Sequence, residues 1–160
     1  MFGHYTLTRE QLLDGTPDTV FPFFADARNL ERITPPWLQF HVVNAPEMRQ
    51  GALIEYRLRL HGVPIRWLTR IEEWTPGERF VDVQLRGPYA LWHHTHEFEP
   101  AGDGRTLMRD TVRYALPLGP LGALAHRLFV ARDIERIFDY RYETVSVPSM
   151  PSARWSPTGQ

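Results

Sequence analysis

The chain has 160 residues, 42% hydrophobic and 23% charged, with a formal net charge of -1, the balance of one ordinary globular domain long enough to bury a core without staples. Charges of both signs alternate along it, so there is no global positive field for nucleic acid or an anionic membrane. The absence of cysteine excludes disulfides, a thiol nucleophile and zinc sites built on thiolates.

No run of about 18 apolar residues is present, and Met1 to Glu10 lacks an apolar signal core, so the expectation is a cytoplasmic protein with no membrane span. His4 to Leu13 reads as a first strand with Tyr5, Leu7 and Leu12 as its apolar positions. Thr16-Pro17-Asp18 is a helix start, with a hydroxyl cap, proline at the first helical position and a carboxylate near the positive end. That helix carries Val20, Phe21, Phe23 and Phe24, and Pro22 bends or shortens it. Asp26 caps a second short helix, Ala27 to Ile33, which Thr34-Pro35-Pro36 stops.

From Phe40 to Leu116 the period changes to two, and six strands fit between turn residues. They run at about Gln39 to Asn44, Ala52 to Leu60, Ile65 to Glu72, Arg79 to Arg86, Tyr89 to Glu99 and Arg105 to Leu116. Ile54, Tyr56, Leu58 and Leu60 share one face of the second, and Ile65, Trp67, Thr69 and Ile71 one face of the third. Short loops make an antiparallel meander of about seven strands, with one wet face and one covered by helices. From Gly119-Pro120 onward, Leu121, Leu124, Leu128, Ala131, Ile134, Phe138 and Tyr142 recur at spacings of three and four. About 25 residues make a helix nearly 40 Å long, enough to cross the sheet. The Pro- and Ser-rich stretch 148–160 reads as a disordered tail after a domain over 1–147.

A strand, two short helices, six strands and a long terminal helix form the element order of the helix-grip fold. The chain resembles the SRPBCC superfamily, whose members include START-like carriers, Bet v 1-like proteins and polyketide cyclase/dehydrase-like proteins. Three stretches carry the resemblance: Pro17 to Phe24, Gly87-Pro88-Tyr89 through Trp92 to Phe98, and Thr106 to Tyr114 followed by Pro117 to Gly122. It covers roughly residues 3 to 145 and is specific for fold. It implies an α+β domain, a bent antiparallel sheet wrapping the C-terminal helix, with a cavity between them. Function does not follow from it, because one fold hosts many functions.

Parity makes the last hairpin informative. Trp92 and Phe98 share a face with His94 and His96, and Met108, Val112 and Tyr114 share one with Asp110. If the aromatic residues face the core, so do both histidines and Asp110. Facing residues then sum to about 204 or 206, which sets Asp110 opposite or diagonal to His94 and His96. A lone buried carboxylate is costly, so Asp110 needs a partner. Three readings stay open: a structural hydrogen-bonded pair, a polar anchor at one end of a pocket, or acid–base and metal chemistry. For metal, His94 and His96 would be ligands with Asp110 third. Two histidines on a strand are a weaker signal than a helical HExxH, and the expectation is no metal and no cofactor.

Asp82 and Gln84 are ambiguous, since Val81, Val83 and Leu85 claim one face for the core and Phe80 the other. Arg141, at the edge of the helix stripe, either meets a carboxylate or acidic ligand group or snorkels to solvent. Trp37 belongs to the core or to the pocket rim. The expected ligand-contacting set is Tyr56, Trp67, Trp92, His94, His96, Asp110, Tyr114, Leu124, Leu128 and Phe138. Three functions compete: a binder or carrier of a small hydrophobic molecule, a cyclase/dehydratase-type enzyme using His94 or His96 with Asp110, and an interaction module without ligand. A monomer or dimer is expected.

Overall fold

The computed structural model describes residues 3–145, so the expected tail over 148–160 and the last residues of the domain expected over 1–147 lie outside the described residues. Seven strands form one antiparallel sheet: β1 (His4–Asp14), β2 (His41–Val42), β3 (Leu53–Leu60), β4 (Val63–Thr75), β5 (Arg79–Arg86), β6 (Leu91–Pro100) and β7 (Arg105–Ala115). Their order is β1-β7-β6-β5-β4-β3-β2. Each strand from β3 to β7 pairs with its predecessor, and β1 closes on β7. Register shifts in β4 between Leu68 and Thr69 and between Ile71 and Glu73 insert bulges, which bend a strand and increase its twist.

β1 departs from the sequence expectation. Its inward residues are Tyr5, Leu7 and Leu13; Leu13 is buried, whereas Leu12 is 49% exposed. Parity with Tyr5 favours odd positions, and Leu12 was on the wrong one. The helix α1 (Pro17–Phe24) starts as expected, but the Thr16 hydroxyl contacts Thr19 Oγ1 at 3.1 Å and makes no hydrogen bond to a helix N–H. Pro22 is accommodated inside it, and Val20, Phe21, Phe23 and Phe24 are buried. Asp26 caps the next turn, a 3-10 helix over Ala27–Glu31, by accepting from Arg28 N at 3.0 Å.

The C-terminal helix crosses the concave face in three pieces: α2 (Gly119–Ala125), a π turn (His126–Val130) and α3 (Ala131–Val145). Ile134, Phe138 and Val145 are buried, but Leu121, Leu124, Leu128 and Tyr142 are exposed. Leu124 and Leu128 therefore leave the expected ligand-contacting set. The cause is the π turn: its wider winding breaks the 3.6-residue phase, so a stripe continuous in sequence does not continue on one face.

Three apolar clusters hold the fold together. One joins α1 to the end of the last hairpin through Phe21, Phe24, Phe80, Phe98 and Met108. A second lies under β3 and β4 around Ile54, Tyr56 and Ile71. The third docks α3 through Ile134 and Phe138 onto Val112 and Tyr114. The outer face carries ion pairs, among them Arg109 with Glu10 at 2.7 Å and Arg79 with Glu73 at 2.9 Å.

Candidate functional site

Between the concave sheet and α3 lies a partly open cavity of about 150 Å³, a volume of the order that holds one aromatic ring in an apolar setting. Its wall is mainly apolar, with Ile54, Trp67 and Ile71 from the sheet facing Phe24, Ile134 and Phe138. The polar groups among its lining residues include Tyr56, Tyr89, Thr34, Thr69, Asp82, His94, His96 and Arg141. No helix of the described residues is long and apolar enough to cross a membrane.

The register of the last hairpin matches the parity deduction. His96 stands opposite Asp110 and His94 opposite Val112, a sum of 206. On the other side of β6, Asp82 stands opposite His94 and Phe80 opposite His96. Asp82 therefore faces inward, with Phe80, and not outward as Val81, Val83 and Leu85 suggested. Val81 is also fully buried, which is why the pattern on β5 misleads. Gln84 donates to Tyr89 O at 2.8 Å and accepts from Tyr89 N at 3.2 Å, clasping the Gly87-Pro88 turn.

His94 Nε2–H donates to Asp110 Oδ1 at 2.9 Å, and His96 Nε2–H donates to Asp82 Oδ2 at 2.9 Å. His96 Nδ1 lies 2.8 Å from Asp110 Oδ1, off the angle of a hydrogen bond. His94 Nδ1 lies 3.6 Å from Asp82 Oδ2 and makes no hydrogen bond among the described residues. The two imidazoles lie against each other, 3.7 Å between centroids and tilted by 36°, and Phe80 stacks on His96 at 4.0 Å. Trp92 meets His94 edge-on at 6.3 Å.

Electrostatics divides the two rings. Burial and the neighbouring charge of His96 lower the pKa of His94, outweighing the hydrogen bond to Asp110. Burial also opposes the charged form of His96, but the two carboxylates beside it, Asp110 and Asp82, outweigh it and raise its pKa. Burial alone would raise both carboxyls; the imidazoles reverse the sign and hold Asp110 and Asp82 below the usual carboxylate range. The surroundings thus favour the ionised form of both carboxyls and the neutral form of His94, and favour the charged form of His96 more than in a free imidazole.

Of the expected contact residues, Tyr56, Trp67, Trp92, His94, His96 and Phe138 line the cavity. Asp110 does not; it sits behind the two imidazoles. Tyr114 does not either: it is buried against Trp92 and Tyr89, and its O–H donates to His126 Nε2 at 2.8 Å. Both share the correct face of β7, but the cavity ends at β6 because α3 packs directly over Val112 and Tyr114. Trp37 is neither core nor among the residues lining the cavity: it is half exposed, packed edge-on against Tyr140 at 6.0 Å and under Arg136 at 4.8 Å.

Arg141 lines the cavity. Its Cζ lies 5.0 Å from the Phe138 ring centroid, its Nε is buried without a partner, and its charge is felt at Asp82 and Tyr56. Burial, with the charge of Asp82, pushes the Tyr56 phenol above its usual range, so it stays a neutral donor. Asp82 was the cavity residue whose direction the sequence left open. Its signal was the tight Gly87-Pro88 turn, which sets it beside His94 once Phe80 is taken as inward.

A bent seven-stranded antiparallel sheet gripping a C-terminal helix over a cavity is the architecture of the START and Bet v 1 class, the SRPBCC superfamily. Within it, the chain belongs to the family described as polyketide cyclase / dehydrase and lipid transport, which matches residues 4–144. No curated protein matches the chain in sequence. Among solved structures, TTHA0849 from Thermus thermophilus is 24% identical with a TM-score of 0.60, over 88% of this chain and 97% of that one. The ZhuI aromatase/cyclase from a Streptomyces species is 16% identical with a TM-score of 0.71, over 89% and 92%. A START superfamily protein from Mycobacterium smegmatis is 12% identical with a TM-score of 0.67, over 89% and 97%. At these identities the likeness is one of fold.

Proposed function

We propose that this protein binds or carries a small hydrophobic or amphipathic molecule in the cavity between the sheet and α3. The observation that carries the reading is the wall itself, apolar except for the patch around Asp82, His94, His96, Tyr56 and Arg141. Apolar enclosure supplies affinity and a few placed polar groups supply orientation. The family description includes lipid transport, which agrees with this. The reading carries with it a cytoplasmic monomer or dimer that acts on a small molecule and not on nucleic acid.

Native mass spectrometry of the purified full chain, with thermal shift against lipids, aromatic compounds and polyketide-like compounds, tests it. A bound mass or a ligand-dependent rise in Tm supports the reading. No bound mass and no shift with all three classes overturns it.

One observation favours a second reading, a cyclase/dehydratase-type enzyme. His94 is neutral, its Nδ1 makes no hydrogen bond, and Asp110 orients the ring from behind, which is the arrangement of a general base. The likeness to an aromatase/cyclase is compatible with it. His94→Ala and Asp110→Asn would then abolish turnover while near-UV circular dichroism is retained. Unchanged turnover of an identified substrate in both variants sinks the assignment.

A further inference from the structure

Three atoms from two adjacent strands converge at the polar end of the cavity. His94, His96 and Asp82 each offer one ligand atom, and the three atoms lie within 4.8 Å of one another. The Asp82 oxygen is 2.9 Å from His96 Nε2 and 3.6 Å from His94 Nδ1. Bonds of about 2.0–2.2 Å to a metal ion put ligand atoms about 3.0 Å apart at a right angle and about 3.4 Å apart at a tetrahedral angle. These separations bracket those values.

The second observation is Asp110. It meets the rear nitrogen of each ring, His94 Nε2 at 2.9 Å and His96 Nδ1 at 2.8 Å. The hydrogen bond to His94 holds that ring with its Nδ1 toward Asp82, and the same carboxylate lies behind His96 as a counter-charge. A carboxylate behind a metal-bound histidine plays this part, orienting the ring and raising its basicity. The third observation is access: Asp82, His94 and His96 line the cavity while Asp110 does not. Three protein ligands on one side would leave the remaining coordination positions open to the cavity, as in reactive and not merely structural centres. Arg141 makes no ion pair with Asp82 among the described residues, so its charge does not occupy the carboxylate.

We propose that His94, His96 and Asp82 form a binding site for one divalent transition-metal ion, zinc or ferrous iron, with Asp110 as the positioning residue behind both imidazoles. Asp110 is thus not the third ligand that the histidine pair suggested in sequence; Asp82 is. The site stands whether or not the cavity holds a hydrophobic guest, and an ion on His94 Nδ1 would occupy the lone pair that the base reading needs.

The test uses the purified full chain, stripped with a chelator and titrated with Co(II) and with zinc ion, followed by anomalous diffraction from soaked crystals. One equivalent of Co(II) with a visible ligand-field band is expected, and an anomalous peak within bonding distance of His94 Nδ1, His96 Nε2 and Asp82. Two surface pairs, His41 with Glu31 and His61 with Asp133, are the competitors, so a His41→Ala, His61→Ala double variant must keep the site. Asp110→Asn, which leaves all three ligands in place, weakens binding about 10- to 100-fold, with Tm and near-UV circular dichroism as fold controls. His94→Gln removes binding. If His94→Gln fails to fold, the anomalous map of the unaltered chain decides alone. No binding at millimolar ion, binding lost in the surface double variant, or a peak elsewhere overturns the proposal.

Discussion

Asp82 stands directly across the ladder from His94, yet its hydrogen bond runs one step along, to His96 at 2.9 Å. Asp110 mirrors this: it stands across from His96 and accepts from His94 at 2.9 Å. Each carboxylate thus bonds the diagonal imidazole, and four side chains from three strands become one unit. Diagonal neighbours on a sheet are within reach of long side chains.

That unit predicts the cost of removing a member. Asp110→Ala removes the acceptor of the His94 hydrogen bond and one of the two carboxylates beside buried His96, and breaking a buried pair costs about 3–5 kcal/mol. Asp110→Asn keeps an acceptor for His94 and costs less. Urea unfolding of the metal-free protein at neutral pH checks the order; equal stability of Asp110→Ala and the unaltered chain would contradict a coupled cluster.

The exposure of the early helix predicts a contrast within one sequence stripe. Leu124→Ser and Leu128→Ser change stability by at most about 0.5 kcal/mol, since both side chains are exposed. Phe138→Ala, at the same spacing but buried between sheet and helix, costs about 3–5 kcal/mol. Denaturant midpoints for the three variants measure this directly.

Filling the cavity separates binding from folding. Ile137 lines it from α3, and Ile137→Trp adds bulk to the space a guest would need. Binding of a fluorescent apolar probe should fall at least about tenfold, a loss of about 1.4 kcal/mol. The Tm should stay within a few degrees. Undiminished probe binding would place the guest elsewhere.

His126 predicts a pH dependence away from the cluster. It stacks on Tyr5 at 3.4 Å and accepts from Tyr114, and burial lowers its pKa. Burial, with Tyr5 and Glu135, pushes Tyr114 up to about 12, so it remains a donor. The folded state therefore prefers neutral His126, while the unfolded chain takes up the proton near about pH 6.5. The contribution is full above that value and is lost as pH falls toward the lower folded pKa. Urea midpoints between about pH 7 and about pH 5 should fall less in His126→Gln than in the unaltered chain; identical slopes would refute it.

The Gly87 turn predicts a coupling. A Cβ at Gly87 would clash with Gln84 Oε1, displacing the side chain that holds Tyr89 through two hydrogen bonds. Gly87→Ala should cost about 1–3 kcal/mol, and less in a Gln84→Ala background. A double-mutant cycle reads that difference, and additive effects would show that the clasp is not what Gly87 protects.

Alternation and turn chemistry in the sequence by themselves determined the strand count, the meander and the parity that sets Asp110 on the face of His94 and His96, with two registers left for the structure to choose between. A sheet's side-chain period of two leaves a strand only two choices of face, and one aromatic residue selects between them. Where both faces are buried, as at Phe80 and Val81, that selection fails, and only the packed structure turned Asp82 toward His94. The helix needed it too. A stripe from Leu121 to Phe138 is one face only if the winding is uniform, and the π turn at His126–Val130 moved Leu124 and Leu128 out to solvent. Likewise, the cavity stops short of Asp110 and Tyr114 because α3 lies on Val112, a contact between residues far apart in the chain that no local pattern encodes.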